Sequence, residues 1–376
     1  VRATGGGRCN VTNTFADVAE TADVYPRGAR LMSRLLRATP PERLMARWES
    51  LGVALRVEAE GRVFPASQQS ATVVDALLSA LQRGGVEWRT HSEVHTVEPA
   101  PDGTFRLVDR HGAHVVDAHF DHVAVTCGGL ARPETLAPWE ALGHAVEAPC
   151  PSLFGLRLDA PALAALSGVS VNEVSLSLRD TKIRARGPLL LTRQGVSGPG
   201  VLRLSAFGAR VLAAAGHHGT LLIGWCGTAD PERALEELRC LFAAHGGRQV
   251  GSVRAFDLPA RLWNVLLERA EVPAERRCAE LNRRQLRQLA AVLTADAYAV
   301  TGRTTHQGEF VTCGGVSLKS VSPKTMESRH VPGLFFAGEV LDIDGLTGGF
   351  NLTAAWLTGL TAAEGIARRA GEKAHD

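Results

Sequence analysis

Residues 331–359 read VPGLFFAGEVLDIDGLTGGFNLTAAWLTG, the most informative segment of the chain for its fold class. A short apolar strand ends in a glycine, and the carboxylate of Glu339 follows at once. Further along, the pair Gly348-Gly349 opens an element with the apolar spacing of a helix. In open α/β sheets ligands bind outside the carboxyl ends of the strands. The stretch therefore predicts an α/β fold with a binding edge near Glu339.

The residue types at this edge indicate the class of ligand. A carboxylate at a strand end accepts hydrogen bonds from sugar hydroxyls. A helix N-terminus offers unpaired N–H groups and the positive end of a dipole, which suits the pyrimidine carbonyl of a flavin. The alternative is a strand, turn and helix with no ligand. The GGFN sequence at 348–351 favours a cofactor site over that alternative.

Length and composition bound the class of protein. The chain has 376 residues, which predicts two or three domains. Lys and Arg number 41 against 39 Asp and Glu, so no global attraction to nucleic acid or anionic membrane is expected. Seven cysteines without a C-x-x-C spacing indicate neither a disulfide framework nor zinc, and a reducing cytoplasm fits best. The chain carries no long apolar run, so no membrane span is expected.

The order of elements predicts a discontinuous α/β domain. Residues 41–51 and 70–83 have helical apolar spacing, while 86–97, 104–108 and 122–126 have the pattern of strands. From 150 the pattern changes to short alternating runs, which favour a small antiparallel sheet or barrel. Three helices are predicted next, near 231–244, 259–271 and 279–293.

These patterns give a domain plan. We predict a dinucleotide-binding domain from residues 1–149 and 308–376. It is interrupted by an inserted domain, residues 150–307, with a β-barrel over about 150–228 and a helical part over about 229–307.

Several long motifs resemble those of the BaiN-like (YhiN-like) flavoproteins, a family also described as aminoacetone-oxidase-like. They are GGGRCNVTN at 5–13, EGRVFP at 60–65, TCGG at 126–129, TRQGVSGP at 192–199, TCGGV at 312–316 and the 331–351 stretch. The similarity extends over nearly the whole chain. It implies FAD as cofactor and a two-dinucleotide-binding, Rossmann-like FAD domain with an inserted barrel-plus-helices domain.

The resemblance also implies where the cofactor is contacted. Glu339 would lie near the ribityl or ribose part of FAD, and residues 348–351 would lie against the isoalloxazine ring. The 8–10 segment would approach from the N-terminal loop, with 312–315 on another side. The implied contact residues are Gly6, Gly7, Arg8, Cys9, Asn10, Thr126, Gly128, Gly129, Thr312, Gly314, Gly315, Gly338, Glu339, Gly348, Gly349, Phe350 and Asn351.

Two departures from the family pattern stand out. The G-x-G-x-x-G turn that holds the FAD pyrophosphate does not occur in these residues. Because the chain starts at Val1, we interpret it as lacking its N-terminus and expect this fragment alone to bind FAD poorly. The second departure is Thr192-Arg-Gln-Gly195, where the family commonly has an aromatic residue and a histidine. This change weakens any inference of substrate from relatives.

Three other groups are candidates for chemistry. The histidines at 111, 114, 119 and 122 are interpreted as a solvated hairpin, so no metal site is expected. Cys9 could have its pKa lowered by Arg8, but a redox role needs a resolving partner, and none is visible. The arginines Arg283, Arg284 and Arg287 are interpreted as a solvated helix face, because aromatic residues for stacking on RNA are sparse.

The function expected from the sequence is hydride transfer between a small organic substrate and flavin N5. NAD(P)H and oxygen are both left open as redox partners, and no second dinucleotide fingerprint indicates a separate NAD(P) domain. No side chain stands out as an obligatory acid or base, and the oligomeric state is left open. We expect a small-molecule substrate, no nucleic acid and no membrane as partners. The alternatives are a flavin-dependent tRNA-modifying or RNA-binding protein and a non-catalytic remnant.

Overall fold

The computed structural model describes residues 1–2, 4–304 and 311–373, with the side chains of 372 and 373 left out. The chain forms two compact units. Unit 1 comprises Val1–Cys150 and Val311–Asp376, and unit 2 comprises Pro151–Phe310. The predicted domain edge at 308 lies outside the described residues.

Fifteen strands are found among the described residues. They are β1 Thr12–Asn13, β2 Leu55–Val57, β3 Arg62–Pro65, β4 Thr96–Pro99, β5 Phe105–Val108, β6 Val123–Val125, β7 Val146–Ser152, β8 Leu156–Leu158, β9 Ser170–Leu178, β10 Arg184–Thr192, β11 Gly195–Ser197, β12 Gly219–Gly224, β13 Asp296–Arg303, β14 Val311–Val316 and β15 Leu334–Phe336.

Ten α-helices are found in the same residues. They are α1 Ala29–Ala38, α2 Pro41–Ser50, α3 Ser70–Arg83, α4 Ala137–Ala141, α5 Pro161–Ala164, α6 Pro199–Ala214, α7 Pro231–Ala244, α8 Ala260–Arg269, α9 Arg283–Ala295 and α10 Phe350–Lys373.

Unit 1 is assembled from small sheets and helices. Strands β1, β3 and β2 form one antiparallel sheet, and β4 pairs antiparallel with β5. The fully buried β15 runs parallel to β6, in register Leu334 to Val123 through Phe336 to Val125. Parallel strands place their carboxyl ends at the same edge. The segments that follow β6 and β15 therefore meet there.

Unit 2 is a closed six-stranded barrel with helices packed on it. The strand order is β10-β11-β8-β13-β12-β9. One hydrophobic cluster links the barrel to the helices and includes Trp225, Trp263 and Leu293. The segment Thr192-Arg-Gln-Gly195 forms a two-residue hairpin turn, because Thr192 pairs with Gly195.

The predicted helices 41–51, 70–83 and 231–244 are confirmed by α2, α3 and α7. The third helix of the insert starts later than predicted, because Asn282 caps it through a hydrogen bond from the amide of Gln285 (2.9 Å). The helix predicted to follow Gly348-Gly349 is α10, which begins at Phe350 and runs through Gly359 to Lys373.

Two sequence predictions of structure are wrong, and one helix was missed. The strand predicted at 86–97 is limited to the four residues of β4, and Val86 and Trp88 are exposed. The barrel does not end near 228, because β13 returns after the helices and pairs with both β12 and β8. Helix α6 was not foreseen, since its small and apolar residues lack a clear polar face.

Candidate functional site

The 5–13 loop and the start of α10 are hydrogen-bonded to each other. The side-chain amide of Asn13 donates to the carbonyl oxygens of Gly348 (3.0 Å) and Glu60 (2.9 Å). One strand residue earlier, the hydroxyls of Thr12 and Thr353 lie 2.8 Å apart in a buried contact. The structure thus joins the two segments whose motifs predicted one site.

Gly349 is the point where these segments touch most closely. Its φ of +93° lies in the region that favours glycine. A Cβ built there would lie 2.3 Å from the carbonyl oxygen of Thr12 and 2.9 Å from Oδ1 of Asn10. No other residue type fits without moving the 5–13 loop.

The side chains of Phe350 and Asn351 face protein. The Phe350 ring is buried against Phe15 (centroids 5.2 Å apart) and Tyr25 (6.0 Å). The Asn351 amide closes the preceding loop, accepting from the N–H of Gly345 (2.7 Å) and donating to its carbonyl (2.8 Å). The contact of residues 348–351 with the isoalloxazine ring stays a prediction, and these side-chain contacts leave it to the backbone at 350 and 351. Backbone N–H groups in the first turn of α10 still have no partner within the helix.

Glu339 is held at the shared edge of β6 and β15. Its Oε1 accepts a hydrogen bond from the backbone N–H of Thr312 at 2.8 Å. A Cβ on Gly129 would lie 2.9 Å from both the Glu339 carboxyl carbon and the Thr312 hydroxyl. The glycine of the TCGG motif at 126–129 therefore makes room for the carboxylate.

A cavity of about 600 Å³ opens at this edge. Its polar end includes Thr126, Gly128, Gly338 and Glu339, and its remaining wall is mostly apolar. Trp48 lines it, and the buried indole nitrogen of Trp48 has no partner among the described residues. A mostly apolar cavity with a few polar groups is typical of cofactor sites, and its size is within their usual range.

Four of the glycines predicted to contact FAD, Gly6, Gly7, Gly314 and Gly315, do not line the cavity beside Glu339. Cβ atoms on Gly314 and Gly315 would meet the carbonyl oxygens of Ala148 (2.5 Å) and Val340 (2.4 Å). These glycines thus let neighbouring backbones approach. Gly6 and Gly7 are exposed, with positive φ and nothing within 4 Å of a Cβ.

The prediction that Arg8 could lower the pKa of Cys9 is wrong. The Arg8 guanidinium forms a 3.3 Å ion pair with Glu58, donates to Gln68 (2.9 Å) and lies 4.0 Å from the centroid of the Phe64 ring. Cys9 is fully buried, and burial raises the pKa of its thiol. A buried neutral thiol is a poor nucleophile.

Other residues were missed that fix the geometry of the site. Arg27 forms a buried ion pair with Asp344, and the Tyr25 hydroxyl donates to the Phe350 carbonyl (2.8 Å). Both contacts join residues more than 300 positions apart, which no local pattern signals. Among the described residues, no group of three or more His, Cys, Asp or Glu could hold a metal ion. No described helix is long and apolar enough to cross a bilayer.

Comparison with known proteins gives the family. Residues 1–365 match the family described as HI0933-like protein Rossmann domain. The chain belongs to this family, and it is a flavin-dependent oxidoreductase with a Rossmann-like fold and FAD as its cofactor. Three features of unit 1 fit that cofactor. They are the hydrogen-bonded carboxylate of Glu339, the close backbone approaches at Gly129 and Gly349, and the mostly apolar cavity.

Relatives of known function are similar over nearly the whole chain. The ribosomal RNA dihydrouridine synthase of Escherichia coli (strain K12) is 30% identical, over 96% of this chain and 87% of that protein. The synthase of the same name from Haemophilus influenzae is 28% identical, over 97% and 88%. The 3-dehydro-bile acid delta(4,6)-reductase of Clostridium scindens is 27% identical, over 98% and 90%.

Solved flavoproteins are more distant. A flavocytochrome c3 fumarate reductase is 15% identical over 91% of this chain, with a TM-score of 0.39. The FrdA chain of Escherichia coli quinol fumarate reductase is 16% identical over 95%, with a TM-score of 0.42. This chain spans 64% and 60% of their lengths.

The relatives overturn one expectation about partners. A small-molecule substrate with no nucleic acid was expected, but two of the relatives are named for ribosomal RNA. The expectation is therefore wrong. It rested on net charge and aromatic content averaged over the whole chain, and such averages do not report a local basic surface.

Proposed function

We propose that the protein reduces a uracil base in RNA, forming 5,6-dihydrouridine. FAD, when bound and reduced, supplies a hydride from its N5. The hydride adds to C6 of the base, whose double bond is conjugated to the C4 carbonyl, and a proton adds to C5. A nicotinamide dinucleotide is the proposed source of the two electrons, delivered as a hydride that restores reduced FAD.

The observation that carries the proposal is the junction between the 5–13 loop and α10. The Asn13 and Thr12 contacts hold the helix N-terminus in one position. A fixed helix N-terminus stabilises negative charge on the reduced flavin ring, which favours the hydride-donating form. The Asn351 amide holds the preceding loop, and Glu339 binds hydroxyls of the ribityl or ribose part.

The relatives support both the reaction and the substrate class. Dihydrouridine synthesis and delta(4,6) reduction each add hydrogen across a carbon–carbon double bond. Two relatives, from Escherichia coli and Haemophilus influenzae, are named for ribosomal RNA. RNA is therefore the proposed substrate class.

The test is single-turnover reduction of RNA. The full-length holoprotein, reduced without oxygen by NADH or NADPH, is mixed with a uridine-containing oligoribonucleotide. We expect flavin absorbance to return as dihydrouridine appears in the digested RNA by mass spectrometry. The same reaction is repeated with ribosomal RNA that lacks the modification. The proposal is contradicted if, with both RNAs, the flavin stays reduced and the RNA is unchanged.

A variant pair tests the role of the junction. Asn13→Ala removes the two hydrogen bonds that the Asn13 side chain donates to Glu60 and Gly348, and the local one that its Oδ1 accepts from the N–H of Phe15 (2.7 Å). Loss of the two bonds that reach beyond the loop, at ~0.5–1.5 kcal/mol each, predicts roughly 5- to 150-fold weaker FAD binding. Asn282→Ala, which removes only the cap of α9 in unit 2, should leave FAD affinity unchanged. Equal effects of the two substitutions would exclude a specific role for the junction.

A further inference from the structure

Unit 2 carries a basic groove on the outer face of its barrel. The groove has a volume of about 740 Å³. Strands β9, β10 and β12 contribute its floor, and α6 and the end of α9 contribute further residues. Its lining includes the hydroxyls of Ser175 and Ser177 and the guanidinium groups of Arg184, Arg186 and Arg203. Among the described residues that line it, none is acidic.

The strand register places the arginines opposite the serines. Arg184 pairs with Ser177, and Arg186 pairs with Ser175, on adjacent antiparallel strands. Residues two apart on a strand lie on one face, about 7 Å apart. Alternation confirms the face, because the intervening Ala185 and Leu176 are buried in the barrel core, while both arginines are exposed. The result is a two-by-two array of guanidinium and hydroxyl groups.

The floor of the groove keeps a serine hydroxyl in the array. Ser175 pairs with Gly224 on the other side, and a Cβ at Gly224 would lie 2.1 Å from the Ser175 hydroxyl oxygen. Any larger residue at 224 would displace that hydroxyl. Gly224 is therefore required for the present position of Ser175.

The arginines are available to a ligand. Neither the Arg184 nor the Arg186 side chain has a hydrogen bond or ion pair with any described residue. The hairpin that carries them, residues 179–186, reads RDTKIRAR. It has four exposed basic residues, Arg179, Lys182, Arg184 and Arg186, against one acidic residue, Asp180.

 This hairpin therefore has three more basic than acidic side chains. Its local charge is strongly positive although the whole chain is nearly neutral.

We infer that this groove binds the sugar–phosphate backbone of single-stranded RNA. The inference rests on the proposed reduction of a uracil base and names the surface that holds its substrate. Arginine and serine side chains are typical donors to phosphate oxygens, and they bind without reading the sequence. Arginines spaced along a rigid strand suit successive phosphates, and the charge is complementary.

Binding of a uracil-free probe tests the groove apart from the chemistry. The probe is a labelled oligoadenylate of about 12 nucleotides, titrated with the full-length holoprotein at several salt concentrations. The test variant is Arg184→Gln with Arg186→Gln. The control is Arg283→Gln with Arg287→Gln, which removes the same charge from exposed positions of α9 in the same unit.

We expect the Arg184→Gln, Arg186→Gln variant to bind oligoadenylate more weakly and with an affinity that depends less on salt concentration. Losing two phosphate contacts should lower the slope of log affinity against log salt by about 1.4 and weaken binding roughly 10- to 20-fold near 0.15 M salt. Ser175→Ala with Ser177→Ala should weaken binding a few-fold with an unchanged slope, because hydroxyls release no counterions. The α9 control should bind like the parent protein.

Three outcomes would overturn the inference. They are equal binding by the groove and control variants, loss in the control alone, and no binding of oligoadenylate by the parent protein. Circular dichroism and FAD content check that the variants are folded. If binding follows the arginines while uridine-containing RNA is never reduced, the groove stands and the proposed reaction fails.

Discussion

The two units differ in how their interiors are built. In unit 2 a single hydrophobic cluster runs through the barrel and its helices, with Trp225 and Trp263 fully buried. Unit 1 consists of sheets of two or three strands. Most of the large exposed hydrophobic side chains in the described residues belong to unit 1, namely Val1, Val57, Leu78, Val86, Trp88 and Val94.

This difference suggests that unit 2 contributes mainly to the stability of the protein and that unit 1 contributes mainly to cofactor binding. A continuous apolar core stabilises unit 2 through its own side chains. Unit 1 also buries large side chains, such as Met32, Phe335 and Phe336, but it adds backbone junctions such as Gly349 against Thr12 and a cavity of about 600 Å³ that suits a cofactor. We therefore expect unit 2 to respond most to core substitutions and unit 1 to respond most to FAD.

The largest expected effect is in the core of unit 2. Trp263 is fully buried, and its indole N–H donates to the Val250 carbonyl (3.0 Å). Trp263→Ala should lower the free energy of unfolding of unit 2 by about 3–5 kcal/mol, from lost burial and a cavity. Urea unfolding followed by circular dichroism measures it. Trp88→Ala, at a 62% exposed position, is the control and should change stability by less than about 0.5 kcal/mol.

FAD itself should shift only the unfolding of unit 1. A ligand that binds the folded state at 100 times its dissociation constant stabilises by about 2.7 kcal/mol. Scanning calorimetry with increasing FAD should move one of two transitions and leave the other in place. If FAD raises the temperatures of both transitions equally, FAD stabilises both units, and the expected difference between them is wrong.

The Gly349 junction should be sensitive to a single methyl group. Gly349→Ala places a Cβ against the Thr12 carbonyl at a φ of +93°, a strain of about 1–3 kcal/mol. We expect FAD affinity to fall roughly 5- to 150-fold, as measured by titration of the apoprotein. Gly371→Ala in α10, where a Cβ meets nothing within 4 Å, is the matched control. Unchanged affinity in both variants would show that the junction tolerates movement.

The smallest expected effect is a pH dependence of unit 1 from His144. The Ser328 hydroxyl oxygen accepts from the amides of His330 (3.0 Å) and Val331 (2.9 Å), so its hydrogen must be donated to Nε2 of His144 (2.8 Å). The other ring nitrogen, Nδ1, donates to the Trp139 carbonyl at 3.0 Å. This arrangement requires a neutral imidazole.

Burial lowers the pKa of His144 below its ordinary value. Below about pH 6.5 the unfolded chain therefore takes up a proton that the folded chain excludes, and stability falls by at most ~1.4 kcal/mol per pH unit. Stability is fully present above that pH. His144→Gln should flatten this part of the curve in urea unfolding between about pH 5 and 8, whereas His111→Gln, on an exposed turn, should not. Parallel curves for all three proteins would exclude His144 as the source.

Local patterns predicted much of the secondary structure. Helix α3 was predicted to the residue, because its apolar stripe ends at a glycine pair. The stretch 86–94 has strand-like residues but pairs with no strand among the described residues, and strand formation depends on such partners. The return of β13 to the barrel depends on pairing with β8, about 140 positions away, which sequence alone does not encode locally.

The candidate site was predicted at the level of segments rather than side chains. The 5–13 and 348–351 motifs do meet, yet the contact is made by Asn13, Thr12 and Thr353. Phe350 and Asn351 turn toward protein because an aromatic cluster and the 345–346 loop bind them more completely. The resemblance identified the segments that form the site, but the direction of each side chain is fixed by packing between residues far apart in the sequence.

The hydrogen bond from Asn13 to Gly348 can form only late in the synthesis of the chain. Its two partners are 335 positions apart, so a ribosome adding about 5–20 residues per second makes the second roughly 17–67 s after the first. Throughout that interval the 5–13 loop has no partner at α10, while the whole of unit 2 is synthesised in between. The cofactor site is therefore assembled last, after the barrel has had time to fold.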